Sequence, residues 1–298
     1  RLVNIDRDLL VIPGVAIHMD RSVNKGAELN PAVDLLPLLG CGKEPGAFRK
    51  LIAEAAGVRE EHLLSTELFL YPRTKAVQTG LNGEFIVSPR LDDLQCVFGC
   101  LEGFLAAKPG GSLPGLAVFN NEEVGSNTRQ GADSTFLTDV LERIAHGCGL
   151  DSEAWKAAVA NSFMVSADNA HAIHPAHPEY ADKNHTVRMN GGVVLKYNAS
   201  QKYTTDAVSA ALFQTVCERA EVPFQRYANR PDMAGGSTLG SIANTQVSLN
   251  MADIGLAQLA MHSAFETAGA QDTAYMVRAL RTFFGLTLKV DGDGTYRL

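Results

Sequence analysis

The sequence predicts an α/β fold, a sheet with helices packed on its faces, preceded by a smaller β-rich module. Short, dense apolar runs alternate with helix-spaced segments, and acidic residues follow the ends of several of those runs. Residues 1–82 are punctuated differently from everything after them.

In that first stretch, prolines and glycines separate short strand-like pieces such as Leu68-Phe69-Leu70-Tyr71. It reads as a β-rich domain over 1–82, with the boundary near Gly80 to Gly83 and a main domain over 83–298. After Asp92, the residues Leu94, Val97, Phe98, Leu101, Phe104 and Leu105 recur at helical spacing. Leu116-Ala117-Val118-Phe119 is a continuous apolar run between Pro114-Gly115 and Asn120-Asn121, and so reads as a strand. Phe163-Met164-Val165 resembles it and ends in Ser166-Ala167-Asp168. Val193-Val194-Leu195 and Val247-Ser248-Leu249-Asn250-Met251 are further strand candidates. Runs this apolar suit strands buried on both faces. Residues 205–220 form a helix with Val208, Ala211, Leu212 and Val216 on one face, and residues 271–284 form a last one with Val277, Leu280 and Phe284 facing inward.

Composition bounds the rest. With 298 residues, 46% hydrophobic and 20% charged, the chain is long enough for one large core or two unequal domains. A net charge of -7 argues against nucleic-acid and anionic-membrane partners, which want a basic face. No run of about 18 apolar residues spans a membrane, and no signal peptide leads the chain. Five cysteines, an odd number with no CxxC pair, read as thiols of a reduced compartment, the cytoplasm. Arg1 rather than Met opens the chain and runs straight into an apolar segment, which reads as a chain without its natural beginning.

The acids carry the chemistry. Glu122-Glu123 follows one expected strand and Asp168 another, and loops beyond strand ends build active sites in open α/β sheets. Taken singly, Asp92 reads as a helix N-cap, Glu122-Glu123 as a solvated pair and Asp168 as a turn cap. Together, the paired glutamates would repel unless a cation or a shared proton offsets them. Two metal ions about 3.5–4 Å apart need a bridging carboxylate, terminal carboxylate and imidazole ligands, and a base for water. Adjacent glutamates can divide the labour of ligand and base. His262, just ahead of the last helix, is a candidate imidazole ligand. Zinc, manganese and cobalt all suit such donors. His171, His174 and His177 form a second cluster, but Pro175 and Pro178 exclude one helical face, and supporting hydrogen bonds are the better reading. Gly235-Gly236 in Gly235-Gly236-Ser237-Thr238 reads as a loop offering backbone contacts to a substrate, or as a plain turn. Neither a GxSxG elbow nor a GxxxxGK[ST] loop occurs.

As a set, these stretches resemble the aspartyl aminopeptidase family of metallopeptidases. The matching segments are Ser88-Pro89-Arg90-Leu91-Asp92-Asp93-Leu94, Asn121-Glu122-Glu123-Val124-Gly125-Ser126, Ser166-Ala167-Asp168-Asn169-Ala170-His171-Ala172, Leu195-Lys196-Tyr197-Asn198 with Gln201-Lys202-Tyr203, and Gln258-Leu259-Ala260-Met261-His262-Ser263. Ile12-Pro13-Gly14-Val15-Ala16-Ile17-His18 with Asn24 adds a match near the start. The resemblance implies a zinc-peptidase-type mixed sheet flanked by helices, with a smaller β-rich oligomerisation domain. It implies two divalent ions, zinc first and manganese or cobalt as alternatives. Asp92 would bridge them, Glu123 and His262 would ligate one, and Asp168 the other. Glu122 would be the general base for a metal-activated water, and Lys196 would help bind substrate. His18 would reach a neighbouring subunit's site and stabilise the oxyanion. The implied activity is removal of N-terminal Asp or Glu from peptides by a homo-dodecamer.

The family's remaining ligand is a His in a His-x-Asp motif upstream of the small domain, and nothing before His18 matches it. The expectation is therefore a chain lacking the N-terminal piece of its catalytic domain. Two other readings stay open: a broader-specificity aminopeptidase of the glutamyl or deblocking type, and an inactive scaffold subunit that has lost a ligand.

Overall fold

Val193, Val194 and Leu195 are all wholly inaccessible to solvent, the condition of a strand covered on both faces. The computed structural model describes residues 1–298 other than 43, 234 and 293 and divides into two compact units, Arg1–Arg73 and Thr74–Leu298.

The first unit holds one α-helix, α1 (Ala47–Ala56), two short 3-10 turns and an isolated bridge between Val11 and Leu38. Its expected β-rich character is not found, since no strand occurs there among the described residues. Leu68-Phe69-Leu70-Tyr71 shows why: all four side chains are exposed, so neither face is buried and nothing fixes a register. Arg73 instead ties this end of the unit to its beginning through Asp6 (2.8 Å) and Asp8 (2.5 Å). The units divide at 73/74 rather than at 82/83 because the next strand already belongs to the second unit's sheet.

That unit runs β1 (Val77–Thr79), β2 (Phe85–Ser88), α2 (Leu91–Ala106), α3 (Phe136–Gly147), α4 (Ser152–Ala160), β3 (Phe163–Ala167), β4 (Ala170–His171) and β5 (Val193–Tyr197). It continues through α5 (Ala207–Arg219), β6 (Phe224–Ala228), α6 (Leu239–Gln246), β7 (Asn250–Gly255), β8 (Ala257–Leu259), β9 (Glu266–Gly269) and α7 (Asp272–Phe284), and ends in the hairpin β10 (Lys289–Gly292) and β11 (Thr295–Arg297). One sheet has the order β3-β7-β5-β6 and the other β1-β2-β9-β8-β4. The β3–β7, β5–β6 and β4–β8 pairs are parallel, and the rest of both sheets is antiparallel. The two sheets run into each other, because β3 continues as β4 and β7 as β8. Across that junction the Asp168 N–H donates to the Ile254 carbonyl (3.1 Å) and the Ala170 N–H to Leu256 (2.8 Å).

Two expected strands differ from the reading. Leu116-Ala117-Val118-Phe119 belongs to no strand among the described residues. An apolar run becomes a strand only where a neighbour offers a ladder, and this one has none there. The run beginning at Val247 enters the sheet only at Asn250. Its first residues close α6 instead: the Val247 N–H donates to Ala243, and the Leu249 N–H to the Asn244 side chain.

Helix α5 starts where the sequence supplies a capping box, with Asp206 and Ser209 bonded reciprocally. Helices α2 and α7 approach closely because Gly99 and Gly103 face them: a Cβ on Gly103 would lie 2.8 Å from Leu280 Cβ, and one on Gly99 2.7 Å from Met276 Cγ. Phe104 and Phe284 close that contact edge to face at 5.2 Å. The core beneath joins Leu195, Phe213, Ile254, Leu256, Met276 and Leu280. Among the described residues, no helix is long and apolar enough to cross a membrane.

Candidate metal centre

Each acid singled out by sequence stands where an element begins, ends or changes sheet. Asp92 lies near the start of α2, at a kink where it and Asp93 leave the helical dihedrals. Glu122 and Glu123 open a 3-10 turn whose entry residue, Asn121, is left-handed (φ 59°), a conformation asparagine tolerates. Asp168 occupies the junction of β3 and β4, its backbone held in the ladder. His262, also left-handed (φ 66°), sits in the tight connection of β8 to β9.

The fold brings these residues together in two overlapping triads. Ligand atoms of Asp92, Glu123 and His262 lie within 4.8 Å of one another, and so do those of Asp92, Asp93 and Asp168. Within the first, His262 Nε2 stands 3.1 Å from both Asp92 Oδ2 and Glu123 Oε2. Asp92 is common to both groups.

Burial and mutual repulsion set the electrostatics. Burial first, then the Asp168 and Glu123 carboxylates, push Asp92 up to about 8. Asp93 is raised well above the usual carboxylate range by burial and then by Asp168. Glu122 rises to about 7 through burial and the charges of Asp168 and Glu123. Glu123 is raised by burial, with His262 opposing. One cation offsets part of this: Lys196 Nζ stands 3.7 Å from Asp168 Oδ2 with the side chain 2% exposed. Burial pushes the Lys196 ammonium down, but Asp168, Tyr203 and Asp253 outweigh it and carry the group above its ordinary value. Gly255 leaves room for this pair, since a Cβ there would come within 2.9 Å of Lys196 Cε.

Asp92 Oδ1 and Asp93 Oδ1 are buried without any hydrogen-bond partner. Orphaned buried carboxylate oxygens are costly, and a bound divalent cation would satisfy them and offset the repulsion that raises these acids. The donors are oxygens and one imidazole nitrogen, a set that fits zinc, manganese or cobalt.

His18 occupies an exposed turn of the first unit. The Gly235 carbonyl accepts from Lys202 Nζ at 2.8 Å. Among the described residues, no hydrogen bond or ion pair joins Gly235 or Gly236 to the carboxylates. His174 and His177 face each other at 5.1 Å, and His177 Nδ1 bonds Glu179 at 3.0 Å, so this cluster is held by its own hydrogen bonds and ring contacts. Two residues escaped the sequence reading. Asp93 was signalled only as the second acid of its pair. Glu266, four residues beyond His262, carried no signal: its carboxylate accepts the backbone N–H groups of both Asp92 (3.0 Å) and His262 (2.8 Å).

The description Aminopeptidase I zinc metalloprotease (M18) matches residues 1–284. A Clostridium acetobutylicum protein described as "Probable M18 family aminopeptidase 2" is 44% identical over 290 residues, covering 96% of this chain and 67% of its own length. In the cryo-EM structure of the Ape4 and Nbr1 complex, a chain 33% identical superposes with a TM-score of 0.84, covering 95% of this chain and 58% of that one. The S. cerevisiae mApe1 dodecamer is 27% identical with a TM-score of 0.71, covering 86% of this chain and 61% of that one. The chain thus spans about two thirds of its curated relative and less of these solved chains. The mixed sheets and flanking helices are those of that group, and the chain belongs to the M18 family of zinc metallopeptidases.

Proposed function

We propose that the chain is the catalytic body of a two-metal aminopeptidase that removes N-terminal Asp or Glu from peptides. The observation carrying this reading is that Asp92 belongs to both ligand triads at once, as a carboxylate bridging two ions must. In the reading, Glu123 and His262 complete one position and Asp168 the other, and zinc is the first choice of ion. Two bound divalent ions would lower the pKa of water between them and polarise the scissile carbonyl. Glu122 takes the proton in this reading: it belongs to neither triad and is the chain neighbour of the proposed ligand Glu123. His18 is the oxyanion contact of the reading, supplied to a neighbouring copy, and Gly235 and Gly236 line its peptide-binding loop. Self-association as a dodecamer is supported by the solved relative described as one and by the exposed Val15, Ile17 and Met19 of the first unit. A cytoplasmic location is supported by five cysteines that are all free thiols.

Acidic preference rests on the resemblance to the aspartyl aminopeptidases, under which Lys196 would help bind substrate. The near-complete burial of Lys196 against Asp168 favours a second reading, broader specificity, in which that charge is spent internally. Turnover of Asp-, Glu- and Leu-anilides by the zinc-loaded chain decides between them. Acidic anilides should be preferred, and a Leu preference overturns the first reading. A chain that takes up no metal by elemental analysis supports the scaffold reading instead.

A further inference from the structure

Glu266 is 2% exposed, at the start of β9, opposite Ser88 of β2 in the ladder. Its two carboxylate oxygens have separate duties. Oε2 accepts the Asp92 N–H at 3.0 Å and Oε1 accepts the His262 N–H at 2.8 Å. The first bond reaches 174 residues along the chain and the second only four.

Both recipients need an outside partner. Asp92 and Asp93 leave the helical dihedrals near the start of α2 (ψ 113° at Asp92), so the Asp92 N–H lies at a kink and takes its acceptor from another element. His262 is a non-glycine residue at φ 66°, a conformation that persists only where its surroundings enforce it. The N–H held by Glu266 is one such restraint. With both oxygens engaged, Glu266 belongs to neither ligand triad although it is a buried carboxylate beside them.

We propose that Glu266 is a positioning residue, a single carboxylate that sets the spacing between Asp92 and His262 before any ion arrives. It fixes the backbone of the shared ligand with one oxygen and that of the imidazole ligand with the other. The 3.1 Å approach of His262 Nε2 to Asp92 Oδ2 is then set by the backbones that Glu266 holds. Because the inference rests on the metal-centre reading for its consequence but not for its geometry, it has two separable tests.

Glu266→Gln keeps the size of the side chain but exchanges one acceptor oxygen for an amide that must face an N–H donor. In the metal-free chain, amide hydrogen exchange should quicken in peptides covering 90–94 and 260–266. Val216→Ala, a core change in α5 away from the site, should leave those peptides at their wild-type rates. In a Co2+ titration followed by the visible spectrum, Glu266→Gln should bind the ion about 10–100-fold more weakly, the range typical of partners that orient ligands. Its ligand-field bands should shift as well, whereas Val216→Ala should retain wild-type affinity and spectrum. Unchanged exchange in both peptides overturns the clamp. Wild-type Co2+ affinity and spectrum in Glu266→Gln overturn its role toward the metal. A wild-type chain that binds no Co2+, with exchange still quickened in the variant, sinks the metal-centre reading and leaves the clamp standing.

Discussion

At the residue scale, the proposed division of labour between Glu122 and Glu123 rests on position. Glu123 reaches His262 and a triad, while Glu122 is half-buried and lies outside both triads. Glu122→Gln should therefore lower kcat on an Asp-anilide by roughly 10²–10⁴-fold, the usual contribution of a general base. Metal content by elemental analysis should stay at the wild-type value, and a parallel loss of metal would recast Glu122 as a ligand. The acids and His262 were legible in the sequence because each stands beside an apolar run whose end could be read. Asp93 and Glu266 were not, for a physical reason. Glu266 earns its place only through a strand that returns it to the start of a helix 174 residues upstream, and no local spacing encodes that pairing. Lys196 was legible as a cation near the site, but its engagement with Asp168 depends on burial that a lone lysine does not announce.

At the element scale, α7 begins with Asp272, which is fully buried and accepts the N–H groups of Asn190 (2.6 Å) and Gly192 (3.0 Å) ahead of β5. Burial pushes this carboxyl up to about 6, against the pull of those two bonds. A carboxyl raised on folding binds its proton more tightly in the native state. Its contribution to stability is therefore complete below the unfolded value near 4 and is lost as pH rises through about 6. The loss amounts to about 2–3 kcal/mol for a shift of this size. Asp272→Asn keeps an acceptor oxygen without the charge. In urea melts at pH 4 and pH 8, the wild type should lose more stability across the interval than the variant, and equal losses would remove Asp272 from the pH response. Taking the difference between the two proteins removes whatever titration of the carboxylate cluster is alike in both. The helices α2, α5 and α7 were legible to within a few residues from their apolar period, although in α2 Leu94, Phe98, Leu101 and Leu105 are exposed and the buried face is Gln95, Cys96, Gly99 and Gly103. Strand existence was harder to read. Leu116-Ala117-Val118-Phe119 and Leu68-Phe69-Leu70-Tyr71 have strand-like composition but no ladder among the described residues. Composition reports a capacity to pair, while pairing depends on the neighbour.

At the scale of the whole molecule, the proposed ligands Asp92, Glu123, Asp168 and His262 all fall within Thr74–Leu298, so the metal chemistry is concentrated in one unit. The net charge of -7 includes this cluster, and the acidity of the chain is in part the acidity of its centre. The two triads are not equally sheltered. Asp168 is 9% exposed and locked into the sheet junction. The side chains of Glu123 and His262 are 52% and 64% exposed and are carried on connecting turns. Shelter of this kind governs residence time. In the proposed centre, an ion on the Asp168 side would be walled by packed sheet backbone, whereas one on the His262 side would be held by two exposed turns. A zinc-loaded chain passed into excess chromophoric chelator should release its metal in two phases of similar amplitude and well-separated rates, and a single phase would count against the asymmetry. With two ions bound as proposed, such a centre would keep one as a long-lived resident in a cell. The other would follow the free metal around it, and enzymatic output would track supply without the fold being put at risk.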